Sequence, residues 1–148
     1  MKDVDAIILS VPFVKIPTLK ALLADVPADV PVIDTSNYYP QRDGHFSPID
    51  NGQIESRWVA EQIGHPVTKA WNAVLAGSLR KNSKAKGEAG RSAIPVAGDN
   101  ARAKQIAMEL VEATGFDAID AGGIDESWRI QTVTPAYCTE LNVDQPSH

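Results

Sequence analysis

The sequence is poor in several features that would announce a function. It holds one cysteine, Cys138, too few for an internal disulfide. Aromatic residues make up only 6% of it. Basic residues are outnumbered, 14 against 19 acidic, for a net charge of -5 and a pI near 5.1. That balance argues against nucleic acid as a partner, because neutralising phosphates needs a basic face. Apolar runs are short, Ala6 to Leu9 being typical, and fall far below the roughly 20 residues of a membrane span. The start, Met1-Lys2-Asp3-Val4-Asp5, has no apolar signal region behind its lysine. Together these features predict a cytoplasmic chain. No G-x-G occurs anywhere, so the chain has no glycine turn of the kind that seats a dinucleotide pyrophosphate.

What is present is an alternation of short apolar runs and helical patterns. The 148 residues predict one domain. Asp5 to Val11 is apolar on both faces and reads as a buried strand closed by Pro12. Ile16, Leu19, Leu22 and Leu23 then predict a helix over Lys15 to Asp25, with Pro17 in its first turn. Pro31 to Thr35 and Pro66 to Trp71 read as further strands, with a helix over Glu55 to Ile63 that Gly64 stops. Asn37 to Ile54 reads as a long loop, Asn72 to Leu79 as a short helix, and Arg80 to Arg91 as a polar loop. Ala93 to Ala97 and Phe116 to Asp120 are strands on either side of a helix over Ala101 to Thr114, capped by Asn100. The tail, Glu126 to Leu141, mixes helix and loop signals. Strands alternating with helices predict an α/β, three-layer architecture with a mostly parallel sheet and helices on both faces.

In such a sheet, ligands bind beyond the carboxyl ends of the strands. Ser10-Val11-Pro12-Phe13, Thr35-Ser36-Asn37-Tyr38 and Ala70-Trp71-Asn72-Ala73 would share that rim. Asn37 and Asn72 offer amide donors and acceptors, and Tyr38, Tyr39 and Trp71 offer flat surfaces for a ring. The plainer reading makes the two Asn turn and cap residues. Arg80, Lys81, Lys84, Lys86 and Arg91 read as a solvated basic loop, with phosphate contact as the other option. His45 with Asp43 and Asp50 lacks the spacing of a metal site, so no metal is expected. His65, ahead of Pro66, reads as structural, and Cys138 as packing.

Five segments carry a resemblance: Asp5 to Phe13 (DAIILSVPF), Val32 to Tyr38 (VIDTSNY), Val67 to Ala73 (VTKAWNA), Ile94 to Asp99 (IPVAGD) and Gly115 to Gly122 (GFDAIDAG). Their order and spacing resemble the NADP-dependent oxidoreductases that use the deazaflavin coenzyme F(420), up to about Leu141. The resemblance implies a Rossmann-type NAD(P)-binding fold. By it, Val11, Pro12 and Phe13 line the adenosine-ribose and pyrophosphate side of the cofactor. Asn37 lies beside the ribose and nicotinamide end, and Ala70 and Asn72 near the carboxamide. The implied activity is hydride transfer between NADP or NAD and a deazaflavin or flavin co-substrate. Two departures stand out: Trp71 where the family often has Phe, and the longer Asn37 to Ile54 connection. The resemblance also implies that the chain starts at the family's fourth strand, so the fold is incomplete. Roughly 60 residues of the first βαβ units, at about 30 per unit, would be missing. On that basis cofactor binding is expected to be weak or absent. Asp5 to Val11 would become a bare edge strand through which two copies pair. The alternative is a non-catalytic fragment or assembly module.

Overall fold

The computed structural model describes residues 3–139. Three strands, β1 (Ile7–Leu9), β2 (Val32–Asp34) and β3 (Thr68–Lys69), form a parallel sheet in the order β1-β2-β3. Ile7 pairs with Val32 and Leu9 with Asp34, and Ile33 and Asp34 then pair with Thr68 and Lys69. Two more strands, β4 (Ala93–Val96) and β5 (Asp117–Asp120), are parallel to each other. A single antiparallel bridge between Lys69 and Ala97 joins the two sheets, so β4 and β5 run opposite to β1 to β3.

Both faces are covered because consecutive strand residues, which point to opposite faces, are apolar. Val32 belongs to one core, with Phe13, Ile16, Trp58 and Val59, while its neighbour Ile33 belongs to the other, with Val96, Val111 and Phe116. On the first face lie the 3-10 helix Phe13–Leu19, α1 (Lys20–Leu23), α4 (Glu55–Ile63) and the 3-10 helix Ile124–Ile130. On the other lies α6 (Ala101–Ala113), against β3, β4 and β5. Helices on both faces of a mostly parallel sheet make the three-layer α/β, Rossmann-like fold.

Several elements differ from the sequence reading. The helix expected over Lys15 to Asp25 is mostly 3-10, because Pro17 sits inside it and cannot donate the α-type bond. Asn37 to Ile54 is not structureless: it holds two single turns, α2 (Pro40–Asp43) and α3 (Ser47–Asp50), each with Pro in its first turn. The short helix after β3 starts later than expected, as α5 (Ala76–Lys81). Asn100 caps α6 as expected, its side chain accepting from the Ala103 N–H at 2.9 Å. Gly64 ends α4 in the left-handed region at φ 68°, a conformation glycine reaches without a Cβ clash. Asp5 to Val11 is not buried on both faces, for Ile8 is 50% exposed.

Candidate functional site

The carboxyl ends of β1 to β3 meet on one rim, as their parallel register requires. The ladder continues past the strands: Thr35 N–H donates to Leu9 O at 3.1 Å and Ala70 N–H to Asp34 O at 3.2 Å. Directly beneath the rim, Lys69 Nζ lies 2.8 Å from Asp34 Oδ2, and both side chains are fully buried. Lys69 Nζ also donates to Ser36 O at 2.6 Å, and Asp34 Oδ1 accepts from Ser36 N–H at 2.9 Å. This buried pair fixes where the chain turns at Ser36 and so aims Asn37.

Asn37 and Asn72 are brought together. Asn37 Nδ2 donates to Asn72 O at 2.8 Å, and Asn72 Nδ2 donates back to Asn37 Oδ1 at 3.2 Å and to Ile130 O at 2.7 Å. Asn72 Oδ1 and Trp71 Nε1 are both buried without a protein partner. Trp71 takes φ 60°, a strained value for an aromatic residue, which delivers Asn72 to the couple.

The other expected site residues fall in different settings. Ala70 is fully buried on the rim, Val11 is half-buried against the core, and Pro12 is exposed. Phe13 is fully buried, its ring stacked on Trp58 at 4.6 Å and edge-on to Phe46 at 5.8 Å. Both contacts anchor the first turn of the 3-10 helix in the core. Tyr38 joins the same cluster, 5.4 Å from Phe13, with its hydroxyl on Asp50 Oδ1 at 2.8 Å, so it offers no free ring face. Aromatic packing is what orders the 37–54 connection. Tyr39 stays on the rim, with Arg42 over its ring at 4.9 Å and its hydroxyl against that of Tyr137.

Sequence reasoning missed the polar frame of the rim. Glu55, at the start of α4, is buried; its Oε1 accepts from Tyr38 N–H at 2.6 Å, and its Oε2 has no partner. Its backbone N–H donates to Gln131 Oε1 at 3.0 Å. Burial pushes the Glu55 carboxyl up, against the opposing pull of the Lys69 charge and the Tyr38 N–H. Asp43 goes the other way. Burial pushes it up, but Arg42 and the N–H groups of Tyr39 and Val14 outweigh that and hold it below the usual range. A lysine inside the β3 pattern and an aspartate inside the β2 pattern were the only signal of the ion pair.

Away from the rim, a cavity of about 400 Å³ opens at the amino ends of β2 and β3, between Pro31, Arg57, Pro66 and Asp99. Arg57 is already paired with Asp99 at 3.2 Å and Asp125 at 2.6 Å, and no lining side chain carries an unpartnered buried atom. Arg91, read with the solvated basic loop, is 4% exposed. It bonds Glu112 at 2.9 Å and Asp117 at 2.7 Å, tying α6 to β5. His65 places its two ring nitrogens on the Pro66 and Pro27 carbonyls, a structural setting. His45 meets Asp50 at 3.0 Å while Asp43 turns to Arg42. No cluster of three or more metal-type ligands occurs among the described residues. No helix there is long and apolar enough to cross a membrane.

No family model matches the sequence. Over 59 residues the chain is 49% identical to the protein YjhV of Escherichia coli K12, a stretch covering 40% of this chain and 43% of that one. Among solved structures, the hypothetical protein SMa0349 of Sinorhizobium meliloti is similar at a TM-score of 0.78 and 26% identity, over 94% of this chain and 67% of that one. A protein of Arthrobacter sp. FB24, provisionally named an F(420)-dependent NADP-reductase, is similar at a TM-score of 0.68 and 22% identity. That match covers 86% of this chain and 59% of the reductase. The fold implied by the five sequence segments is therefore the fold observed: this chain is a Rossmann-like α/β domain of the architecture shared by these two solved structures.

Proposed function

We propose that the rim holding Asn37 and Asn72 receives the nicotinamide end of NAD(P), and that the chain is an oxidoreductase-type protein. Its reaction would be hydride transfer between the nicotinamide and a deazaflavin- or flavin-type partner. The observation that carries this reading is the pair of unpartnered buried atoms, Asn72 Oδ1 and Trp71 Nε1, beside the Asn37–Asn72 couple. One is an acceptor and one a donor on adjacent residues, the complement of a carboxamide. The named reductase of the same fold supports the reaction class.

When bound, the nicotinamide supplies the hydride chemistry. The chain's own residues orient it: Asn37 and Asn72 hold the amide plane, and the Lys69–Asp34 pair holds the two strand ends that carry them. Reactions of this type need two rings placed face to face and require no side-chain acid or base. The pyrophosphate is less well served. The sequence has no G-x-G turn, and Phe13 lies in the core. Losing several charge-assisted hydrogen bonds, each worth about 1.5–3 kcal/mol, sets the expected Kd weaker than about 1 mM.

Saturation-transfer NMR at millimolar NADPH and millimolar reduced nicotinamide mononucleotide tests the reading. Transfer to the nicotinamide protons is expected from both, and Asn37→Ala is expected to abolish it while costing only about 1 kcal/mol of stability, as a lost cap would. Absence of transfer from either compound refutes the site.

A second reading, an assembly module, draws support from β1. Among the described residues it has one neighbour, β2, and its Ile8 is 50% exposed. We propose pairing of two such edges across a two-fold axis.

A further inference from the structure

The segment after the 3-10 helix Ile124–Ile130 crosses back over the rim. Gln131 Oε1 accepts from Glu55 N–H at 3.0 Å, and Thr132 Oγ1 donates to Tyr38 O at 3.3 Å. The Tyr137 hydroxyl meets that of Tyr39, and Cys138 N–H donates to Ala73 O at 2.8 Å. Ile130 O, at the near end, takes the amide of Asn72. The segment therefore touches the residues on both sides of the Asn37–Asn72 couple.

Three observations set it apart from ordinary packing. No residue of 131–139 is buried, although Ile124 and Ile130 just before it are 3% exposed. Polar contacts, with no anchoring core residue, hold it down, and such segments open at low cost. The non-glycine residues with positive φ among the described ones are Trp71 at 60°, Val133 at 64° and Cys138 at 53°. Two lie in the segment and the third at the residue beside the couple. Val133 is β-branched and fully exposed, so nothing packed around it compensates its conformation. Finally, the covered rim contains the unpartnered atoms Asn72 Oδ1 and Trp71 Nε1. The closed arrangement thus keeps backbone strain at Val133 and Cys138 beside a rim that holds unmet hydrogen bonds.

We propose that residues 131–139 are a strap that closes over the Asn37–Asn72 couple and swings away to admit a ligand's amide end, so that the chain gates its own rim. That the ligand is a nicotinamide rests on the function proposed above; the strap itself does not. The side-chain clasps at the two ends are Gln131 on Glu55 and Tyr137 on Tyr39, with the fully exposed Val133 between them.

Cys138, the one cysteine, sits half-buried in the strap, and opening would expose it further. The experiment follows the rate of Cys138 alkylation by a small maleimide in wild type, Gln131→Ala and Tyr137→Phe, with thermal unfolding run on each. In wild type, labelling through strap opening is expected to depend only weakly on urea, since little surface is exposed. Each clasp variant is expected to speed labelling roughly three- to tenfold, the effect of one lost hydrogen bond, with unfolding hardly moved. Labelling that follows global unfolding in urea, or clasp variants that leave the rate unchanged, overturns the strap. Reduced nicotinamide mononucleotide is then titrated into wild type from about 1 mM to about 50 mM, since the Kd expected above is weaker than about 1 mM. A faster rate supports both proposals. Clasp variants that speed labelling, with no response to the mononucleotide, leave the strap standing and overturn the nicotinamide reading.

Discussion

Lys69 Nζ and Asp34 Oδ2 form a 2.8 Å ion pair with both side chains fully buried, across adjacent parallel strands in register. Replacing Lys69 with Met leaves the Asp34 carboxylate buried without its cation. The expected loss is about 3–5 kcal/mol in urea unfolding. The double variant Lys69→Met with Asp34→Asn is expected to be more stable than the single one, since Asn still accepts the Ser36 N–H. A single variant within about 1 kcal/mol of wild type would contradict the pair's role in fixing the rim.

Glu55 makes stability depend on pH. Folding raises its carboxyl above the ordinary 4.5, chiefly by burial. A carboxyl raised by folding favours the folded state while protonated, and its contribution is lost as pH climbs from 4.5 through the raised value. Glu55→Gln keeps an oxygen for the Tyr38 N–H. It is expected to be more stable than wild type at neutral pH, with the margin vanishing below about pH 4. Paired melting curves across pH 3 to 8 check the sign, and a margin that grows on acidification would reverse it.

Phe13 is fully buried in the core, stacked on Trp58. Phe13→Ala removes the ring stacked on Trp58 and is expected to cost about 3–5 kcal/mol. Phe13→Leu, better matched in volume, is expected to cost less and to leave nicotinamide saturation transfer unchanged. Transfer lost in a folded Phe13→Leu protein would restore Phe13 to the site.

The exposed edge of β1 carries the proposal of self-pairing. Light scattering at tens of micromolar is expected to give a dimer mass, and Ile8→Lys, which puts a charge on the exposed side of the edge, to shift it to the monomer. A wild-type monomer under those conditions ends that proposal.

The local elements and their direction were legible in neighbouring residues. An apolar run closed by Pro12, a helix stopped by Gly64, the Asn100 cap and the alternation of strands with crossovers were enough for parallel β1, β2 and β3, and for a shared rim with Asn37 and Asn72 on it. These are short-range signals, written in neighbouring residues. Tertiary structure alone decided what the side chains do there. Tyr38 looked like a ring platform until Phe46 packed edge-on against it, and Phe13 looked like a cofactor-lining residue until Trp58, far along the chain, stacked on it in the core. Arg91 looked solvated until Glu112 and Asp117 closed on it. The Lys69–Asp34 pair spans 35 residues, and the Gln131 clasp on Glu55 spans 76. Neither separation leaves a period or spacing to read, because hydrogen bonds and ion pairs form between whatever groups the packed layers bring within 3 Å. Pattern therefore put Asn37 and Asn72 on one rim, and only long-range packing disclosed which groups on that rim are unpartnered.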